Sequence, residues 1–248
     1  MGLIEQIFGG KTKEPLDLSA IAVDMHSHLI PGIDDGSQSM DHTIGMLLRF
    51  SELGYKKVIT TPHIMFDYYK NTPDIIFGGL EDVRNELKRL NIPIEIDAAA
   101  EYFFDEYFMD LVENTKLLTF GNSEVLFELS FGAKPNNIDE LIFNLKTKGY
   151  QPVLAHYERY LFFLNEGIEP ARKFRENGVK IQMNLNSLTG HYGAAIKKQA
   201  ELLVDNNLID YVATDCHRIE HLDIIQANLS KKYFRKLSKM NFLNKDLL

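Results

Sequence analysis

Two histidines separated by one residue, His26 and His28, directly follow the largely apolar run 21–25. Alternate side chains of a β-strand point to the same side, so both imidazoles would face the same way where this strand ends. Imidazole nitrogens are common ligands of zinc, copper, iron and nickel. The pair therefore predicts a metal site at the carboxyl end of the first strand.

Other ligand-type side chains recur where later apolar segments end. The full set of candidate metal ligands is His26, His28, Asp35, His63, Glu101, Glu128, His156, Asp215 and His217. This set exceeds the needs of one ion, so we expect two or three divalent ions that share a bridging carboxylate. Asp34, beside Asp35, is a less clear candidate, because only one of two adjacent aspartates need bind metal. His42, His191 and His221 do not follow a strand and are interpreted as surface or helix residues.

The elements that must position these residues are amphipathic helices alternating with short strands. The helices are predicted to end at Gly54, Gly149, Gly178 and Asn206-Asn207, since glycine and asparagine accept the left-handed backbone. Strands are expected near residues 21–25, 57–60, 93–99, 124–129, 152–155, 179–182 and 210–213. This alternation predicts an α/β fold with a parallel sheet: a single-domain, distorted TIM-like barrel of seven β/α units. A doubly wound open sheet is the alternative.

Composition restricts the class of protein. A formal charge of −8, from 27 Lys and Arg against 35 Asp and Glu, disfavours a nucleic-acid partner. No apolar run approaches the roughly 18 residues of a transmembrane segment. The single cysteine, Cys216, excludes an internal disulfide and fits a reducing, cytoplasmic location. Residues 1–20 are expected to be an extension of unknown role, with a short, loosely docked helix over 1–12. Residues 21–248 are expected to form the domain that carries the site.

The motifs resemble the PHP (polymerase and histidinol phosphatase) superfamily of metal-dependent phosphoesterases. They are similar above all to bacterial tyrosine-protein phosphatases of the capsule and exopolysaccharide biosynthesis type. The resemblance rests on DMHSH at 24–28, PGIDDG at 31–36, TTPH at 60–63, AE at 100–101, FELS at 127–130, AHYERY at 155–160 and ATDCH at 213–217. It covers about residues 22–220 and implies a PHP-type barrel.

The resemblance also implies how the ligands are shared among three ions. One ion would take His26, His28, Glu101 and Asp215. A second would take Glu101 as a bridge, together with Glu128 and His156. The third would take Asp35, His63 and His217. Manganese is the expected metal, with iron, zinc, cobalt or magnesium as alternatives.

The implied reaction is hydrolysis of a phosphate ester. A hydroxide activated by the metals would attack phosphorus in line, while Arg159 would hold the phosphate as a bidentate fork. Asp35 or His63 would supply a proton if the leaving group needs one. A cysteine-dependent route is excluded, because the arginine it requires six positions after Cys216 is replaced by Leu222.

The expected substrate is phosphotyrosine on a protein such as a bacterial tyrosine kinase that controls capsule or exopolysaccharide synthesis. Three aromatic residues after His63, namely Phe66, Tyr68 and Tyr69, are open to two interpretations: stacking on the phenol ring or packing within the loop. The alternatives are a small-molecule phosphatase acting on a substrate like histidinol phosphate, a nuclease or polymerase-associated module, and a catalytically silent, metal-stabilised scaffold. The oligomeric state is left open.

Overall fold

The computed structural model of the protein describes residues 15–248. The helix predicted over residues 1–12 lies outside this range. Nine short strands are present among the described residues: β1 Val23–Asp24, β2 Lys57–Thr60, β3 His63–Ile64, β4 Glu95–Ala98, β5 Glu101–Phe103, β6 Glu124–Glu128, β7 Gln151–Leu154, β8 Lys180–Asn184 and β9 Tyr211–Ala213. The α-helices are α1 Met40–Glu52, α2 Pro73–Leu90, α3 Glu106–Asn114, α4 Ile138–Thr147, α5 Glu169–Glu176, α6 Ala194–Asp205, α7 Ile219–Asn228 and α8 Lys232–Leu237.

All strand pairs are parallel, and they form two segments of one curved sheet, ordered β1-β2-β4 and β3-β5-β6-β7-β8-β9. The second and third of the seven predicted strands are each interrupted, giving β2 with β3 and β4 with β5. Pro62 has no N–H to donate at the first interruption. Hydrogen bonds from Ala99 N to Thr60 O (2.9 Å) and from Glu101 N to Pro62 O (3.1 Å) nevertheless join the segments.

The sheet curls until its first and last strands meet. Just beyond β1 and β9, Ser27 pairs with Cys216. Asp215 N donates to His26 O, and His28 N donates to Cys216 O, each at 2.9 Å. The seven passes of the chain thus form the predicted α/β barrel, and the open-sheet alternative is wrong.

Left-handed backbone ends the helices where the sequence predicted it. The φ angles are 96° at Gly54, 86° at Gly149, 82° at Gly178 and 55° at Asn207. Each of these residues reverses the chain into the next strand. These short connections lie at the amino ends of the strands, so the carboxyl ends of successive strands meet at the opposite end of the barrel.

Two apolar layers hold the barrel. The inner layer fills the barrel with side chains such as Val23, Met25 and Leu126, and the outer layer packs the helices against the sheet. Leu16 and Leu18, within the predicted extension, are buried in the outer layer. Within the part of the chain that the structure describes, no helix is long and apolar enough to cross a membrane.

Candidate metal centre

The nine predicted ligands come together at the carboxyl end of the barrel. His26 and His28 follow β1, Glu128 ends β6, and His156 follows β7. His63 and Glu101 instead begin β3 and β5, the second halves of the two interrupted strands. After each interruption the chain therefore places a candidate ligand, His63 or Glu101, inside the barrel.

One group of four donor atoms comes from His26, His28, Glu101 and Asp215. His26 Nε2 lies 3.0 Å from Glu101 Oε2 and 3.4 Å from Asp215 Oδ1. His28 Nε2 lies 3.4 Å and 3.5 Å from the same two oxygens. Two imidazoles and two carboxylates around one point are a donor set that suits a divalent transition metal.

The other donors extend this group in two directions. On one side, His156 Nε2 lies 2.9 Å from Glu101 Oε1 and 3.7 Å from Glu128 Oε2. On the other side, Asp35 Oδ1 lies 3.5 Å from His63 Nε2 and 3.3 Å from His217 Nε2. Glu101 therefore has one oxygen toward each of the first two groups, as a bridging carboxylate requires.

His63 lies between the second and third groups. Its Nδ1 is 3.2 Å from Glu101 Oε2 and 3.3 Å from Glu128 Oε1, while its Nε2 faces Asp35. His28 is likewise close to the third group, because its donor atom lies within 4.8 Å of those of Asp35, His63 and His217. The grouping in space is thus more interconnected than the ligand sets implied by the motifs.

The two adjacent aspartates have different positions. Asp34 is buried and accepts a hydrogen bond from His28 Nδ1 at 2.8 Å and from the backbone N–H of His63 at 3.2 Å. Asp35 faces the cavity and lies 3.3 Å from His217 Nε2. A hydrogen bond from His217 lowers the pKa of Asp35 to about 2. Asp34 thus orients a ligand imidazole, whereas Asp35 presents an oxygen to the candidate metals.

Two buried polar residues at the end of β8 were not predicted. Gln182 Oε1 accepts from His26 Nδ1 at 3.0 Å and from the backbone N–H of His156 at 2.8 Å. Asn184 Nδ2 donates to Asp215 Oδ2 at 2.7 Å. Both residues orient candidate ligands. Their two-residue spacing at a strand end is the same signal that identified His26 and His28, but their amide side chains are weak metal ligands.

The charges of the cluster fit a bound cation. Burial opposes ionisation of Glu101, but His26 and His63 hold its pKa well below the usual value. Burial, together with the negative charges of Glu101 and Asp215, raises the pKa of Glu128 well above its usual value. His63 Nδ1 is close to the Glu101 and Glu128 carboxylates but is buried without forming a hydrogen bond to either. Divalent ions would neutralise the acidic excess and give this nitrogen a partner, so the residues present fit the metals that the motifs imply.

Two of the candidate ligands have a strained backbone. His156 and Asp215 have φ angles of 32° and 50°, in the left-handed region that residues with a Cβ rarely adopt. Each lies two positions after the last residue of a strand, and its side chain faces the other candidate ligands. Strain of this kind is concentrated at functional sites, where surrounding packing maintains it.

Arg159 lies beside the cluster in the short 3₁₀ turn Tyr157–Arg159 that follows His156. Its Nη1 donates to Asp215 Oδ2 at 3.0 Å. The guanidinium carbon also lies over two aromatic rings, 4.5 Å from the centroid of Phe131 and 4.3 Å from that of Tyr192. The predicted phosphate-binding arginine is therefore held at the edge of the metal cluster.

A cleft of about 550 Å³, open to solvent, connects these groups. Arg159 and several candidate metal ligands line this cleft, together with His191, Arg218 and His221. His221 lies in the first turn of α7, as expected for a helix residue, but it is buried against the cluster. His42 is an exposed residue of α1. Periodicity could not identify His221 or Arg218, because both follow a strand end by several residues.

Cys216 is inaccessible. Its Sγ lies 3.6 Å from Met46 Sδ, and burial raises the pKa of the thiol well above its usual value. A thiol held in this form is a poor nucleophile. The structure therefore agrees with the prediction that Cys216 is a packing residue.

Comparison with known proteins identifies the family. A family model for "Capsular polysaccharide synthesis, CpsB/CapC" matches residues 22–244. The chain is 29% identical over 231 residues to tyrosine-protein phosphatase YwqE of Bacillus subtilis, with 91% of each protein covered. It is 26% identical over 223 residues to a putative tyrosine-protein phosphatase CapC of Staphylococcus aureus, covering 87% of this chain and 86% of that protein.

Solved structures agree with this result. The chain matches one described under "Crystal structures of YwqE from Bacillus subtilis and CpsB from Streptococcus pneumoniae, unique metal-dependent tyrosine phosphatases", with a TM-score of 0.74, 25% identity and coverage of 89% and 96%. The phosphotriesterase homology protein of Escherichia coli shares the fold at a TM-score of 0.52 and 14% identity, with 95% and 96% covered. The resemblance read from the motifs is confirmed, and the chain belongs to the capsular polysaccharide synthesis family CpsB/CapC.

Proposed function

We propose that the protein is a metal-dependent phosphatase that hydrolyses phosphotyrosine in proteins. The observation that carries this proposal is the convergence of nine histidine and carboxylate side chains with Arg159 in one open cleft. Relatives that align over most of the chain are named tyrosine-protein phosphatases. An open cleft admits the side chain of a protein substrate more readily than a closed pocket would.

His26, His28, Asp35, His63, Glu101, Glu128, His156, Asp215 and His217 would hold two or three divalent ions, with manganese as our first choice. Such ions supply an activated water and neutralise charge on the transferring phosphoryl group. Arg159 would hold two phosphoryl oxygens through its in-plane N–H groups. Asp34, Gln182 and Asn184 would keep the ligands oriented.

A tyrosine leaving group needs little help from an acid on the protein. A tyrosine phenol has a pKa of about 10, so it leaves more easily than the alcohol of serine. If protonation assists departure, His63 or Asp35, which both line the cleft, would pass the proton on from solvent, since pKa values of about 4 and about 2 leave neither group protonated near neutral pH. We further propose that the physiological substrate is a bacterial tyrosine kinase and that the protein acts in the cytoplasm.

The test is phosphate release after chelation and Mn²⁺ add-back. We expect restored release from a phosphotyrosine peptide, little from the matched phosphoserine peptide, and none from the His217→Ala variant. Turnover of histidinol phosphate in place of the phosphotyrosine peptide would replace the proposed substrate with a small molecule. A folded, metal-loaded protein that hydrolyses none of these substrates would refute the proposed activity.

A further inference from the structure

The side chain of Arg159 is held by two aromatic rings from distant parts of the chain. Phe131 follows β6, whereas Tyr192 lies in the segment that connects the 3₁₀ turn Leu185–Thr189 to α6. The guanidinium carbon of Arg159 lies within 4.5 Å of the centroid of each ring. The cation therefore lies over the faces of both rings, the arrangement of a cation–π contact, in which arginine is found more often than lysine.

Most hydrogen-bond donors of the guanidinium remain available to a ligand. All five N–H donors lie in the plane of the group, and one donor atom, Nη1, bonds to Asp215. The side chain of Arg159 is 23% exposed and lines the cleft. A ring that contacts the face of the guanidinium restrains the group without using a donor that a phosphoryl oxygen needs.

Each ring has support of its own. Phe131 stacks on Tyr160 with centroids 5.8 Å apart and contacts His156 at 5.4 Å. Tyr192 contacts His191 edge to face, with ring centroids 4.9 Å apart. Each ring thus has aromatic contacts in addition to its contact with Arg159.

Without the rings, Arg159 would have an unproductive alternative. Its long side chain has several rotatable bonds, and Asp215 is close enough to accept a second hydrogen bond from it. A bidentate pair with Asp215 would occupy the donors that the phosphoryl group needs and draw charge from a candidate metal ligand. The contacts with Phe131 and Tyr192 would oppose such a movement of the guanidinium.

We infer that Phe131 and Tyr192 are positioning residues that hold the Arg159 guanidinium for the phosphoryl group. This inference rests on the proposed phosphatase function. Neither ring was identified from the sequence, because aromatic residues in connecting segments carry no periodic signal. The pair would determine the affinity for the phosphoryl group rather than the chemistry of the metals.

The test compares removal of each ring with its conservative replacement. Binding of inorganic phosphate to the Mn²⁺-loaded protein is measured by calorimetry for Tyr192→Leu, Tyr192→Phe, Phe131→Leu and Phe131→Tyr. We expect each leucine variant to bind phosphate roughly 3- to 30-fold more weakly, the range of a cation–π contact, and each aromatic variant to bind like the wild type. The KM for a phosphotyrosine peptide should rise in parallel. Phe143→Leu, at an exposed position of α4, is the matched control.

A double-mutant cycle shows whether the rings act through Arg159. In an Arg159→Gln background, Tyr192→Leu should cause no further loss of phosphate affinity. Additive losses would overturn the inference, because they would mean that the ring contacts the ligand directly. Equal affinities for Tyr192→Leu and Tyr192→Phe at full metal content would also overturn it. Wild-type protein that binds phosphate but hydrolyses no phosphopeptide would refute the proposed function, while the binding comparison would still test the positioning role.

Discussion

At the scale of single residues, the candidate metal ligands are held in place by side chains outside the predicted set. Asp34, Gln182 and Asn184 hold His26, His28 and Asp215 through hydrogen bonds between 2.7 and 3.0 Å. A ligand imidazole whose other nitrogen is bonded keeps one tautomer and one ring orientation. The geometry of the centre is therefore determined by these partners as much as by the ligands.

Asp34→Asn should weaken metal binding by about 10- to 100-fold, the usual cost of losing a carboxylate partner of a ligand histidine. The amide would keep the size of the side chain but lose the charge that holds His28 Nδ1–H. Competition with a chelator for Mn²⁺ measures the change. Asp67→Asn, at an exposed position of the loop before α2, is the control. Equal affinity in both variants would mean that Asp34 does not orient His28.

Cys216→Ser should retain most of the phosphatase activity, with a loss below about tenfold. Removing a covalent nucleophile costs roughly 10⁶ in kcat in a serine protease, so the two mechanisms predict very different results. The measurement is kcat/KM with a phosphotyrosine peptide in the presence of Mn²⁺. A folded Cys216→Ser protein without activity would restore a role for the thiol in catalysis.

At the scale of elements, the junction between the first and last strands is completed by side chains. Asn244, in the 3₁₀ segment Leu243–Leu247, donates to Val23 O at 2.9 Å and Val212 O at 2.8 Å, and accepts from Val212 N at 3.1 Å. Asp24 accepts from Thr214 N at 2.8 Å on the same junction. The C-terminal segment thus bridges Val23 and Val212, while the direct backbone bonds between the two edges lie just beyond β1 and β9.

Asn244→Ala should destabilise the protein by about 2–4 kcal/mol, because buried backbone groups of both strands lose their partners. Urea unfolding followed by circular dichroism measures the change. Asn122→Ala, at an exposed position near the same end of the barrel, should have little effect. Equal midpoints for the two variants would show that the junction does not need Asn244.

At the scale of the whole molecule, the barrel concentrates acidic and imidazole groups that compete for protons when no metal is bound. Burial disfavours the charged form of His26 and His28, but neighbouring carboxylates hold the pKa of both above the usual value. The pKa of Glu128 is raised, chiefly by burial. All three groups must lose a proton to bind a cation, so metal binding and proton release are linked.

Metal affinity should therefore increase as the pH rises from 6 to 8, and binding near pH 7 should release protons. The affinity rises with pH because the raised pKa values of His26, His28 and Glu128 keep these groups protonated in the metal-free protein, and the metal binds only their unprotonated forms. Calorimetry in buffers of different ionisation enthalpy measures the number released. Identical heats in all buffers would contradict the linkage.

Chelation should also lower the midpoint temperature of thermal unfolding, because it leaves the acidic groups without a counter-charge.

The barrel and the ligand cluster were predictable because both depend on local periodicity. Helix-ending glycines, short β-branched strands and a ligand-type residue at the end of six of the seven predicted strands repeat along the sequence. Parallel strands then bring their carboxyl ends together, as Asp215 and His26 demonstrate across the last junction. The convergence of the candidate ligands was therefore predictable even though they are up to 191 positions apart, from His26 to His217.

Other features were decided only in the tertiary structure. The different positions of Asp34 and Asp35 depend on which of them reaches His28, and the two breaks in the strands depend on how the sheet curves. The contacts of Phe131 and Tyr192 with Arg159 join three connecting segments, whose paths no periodic pattern encodes. The physical reason is the same in each case: periodicity determines which face a side chain takes within one element, whereas contacts between irregular segments depend on packing of the complete barrel.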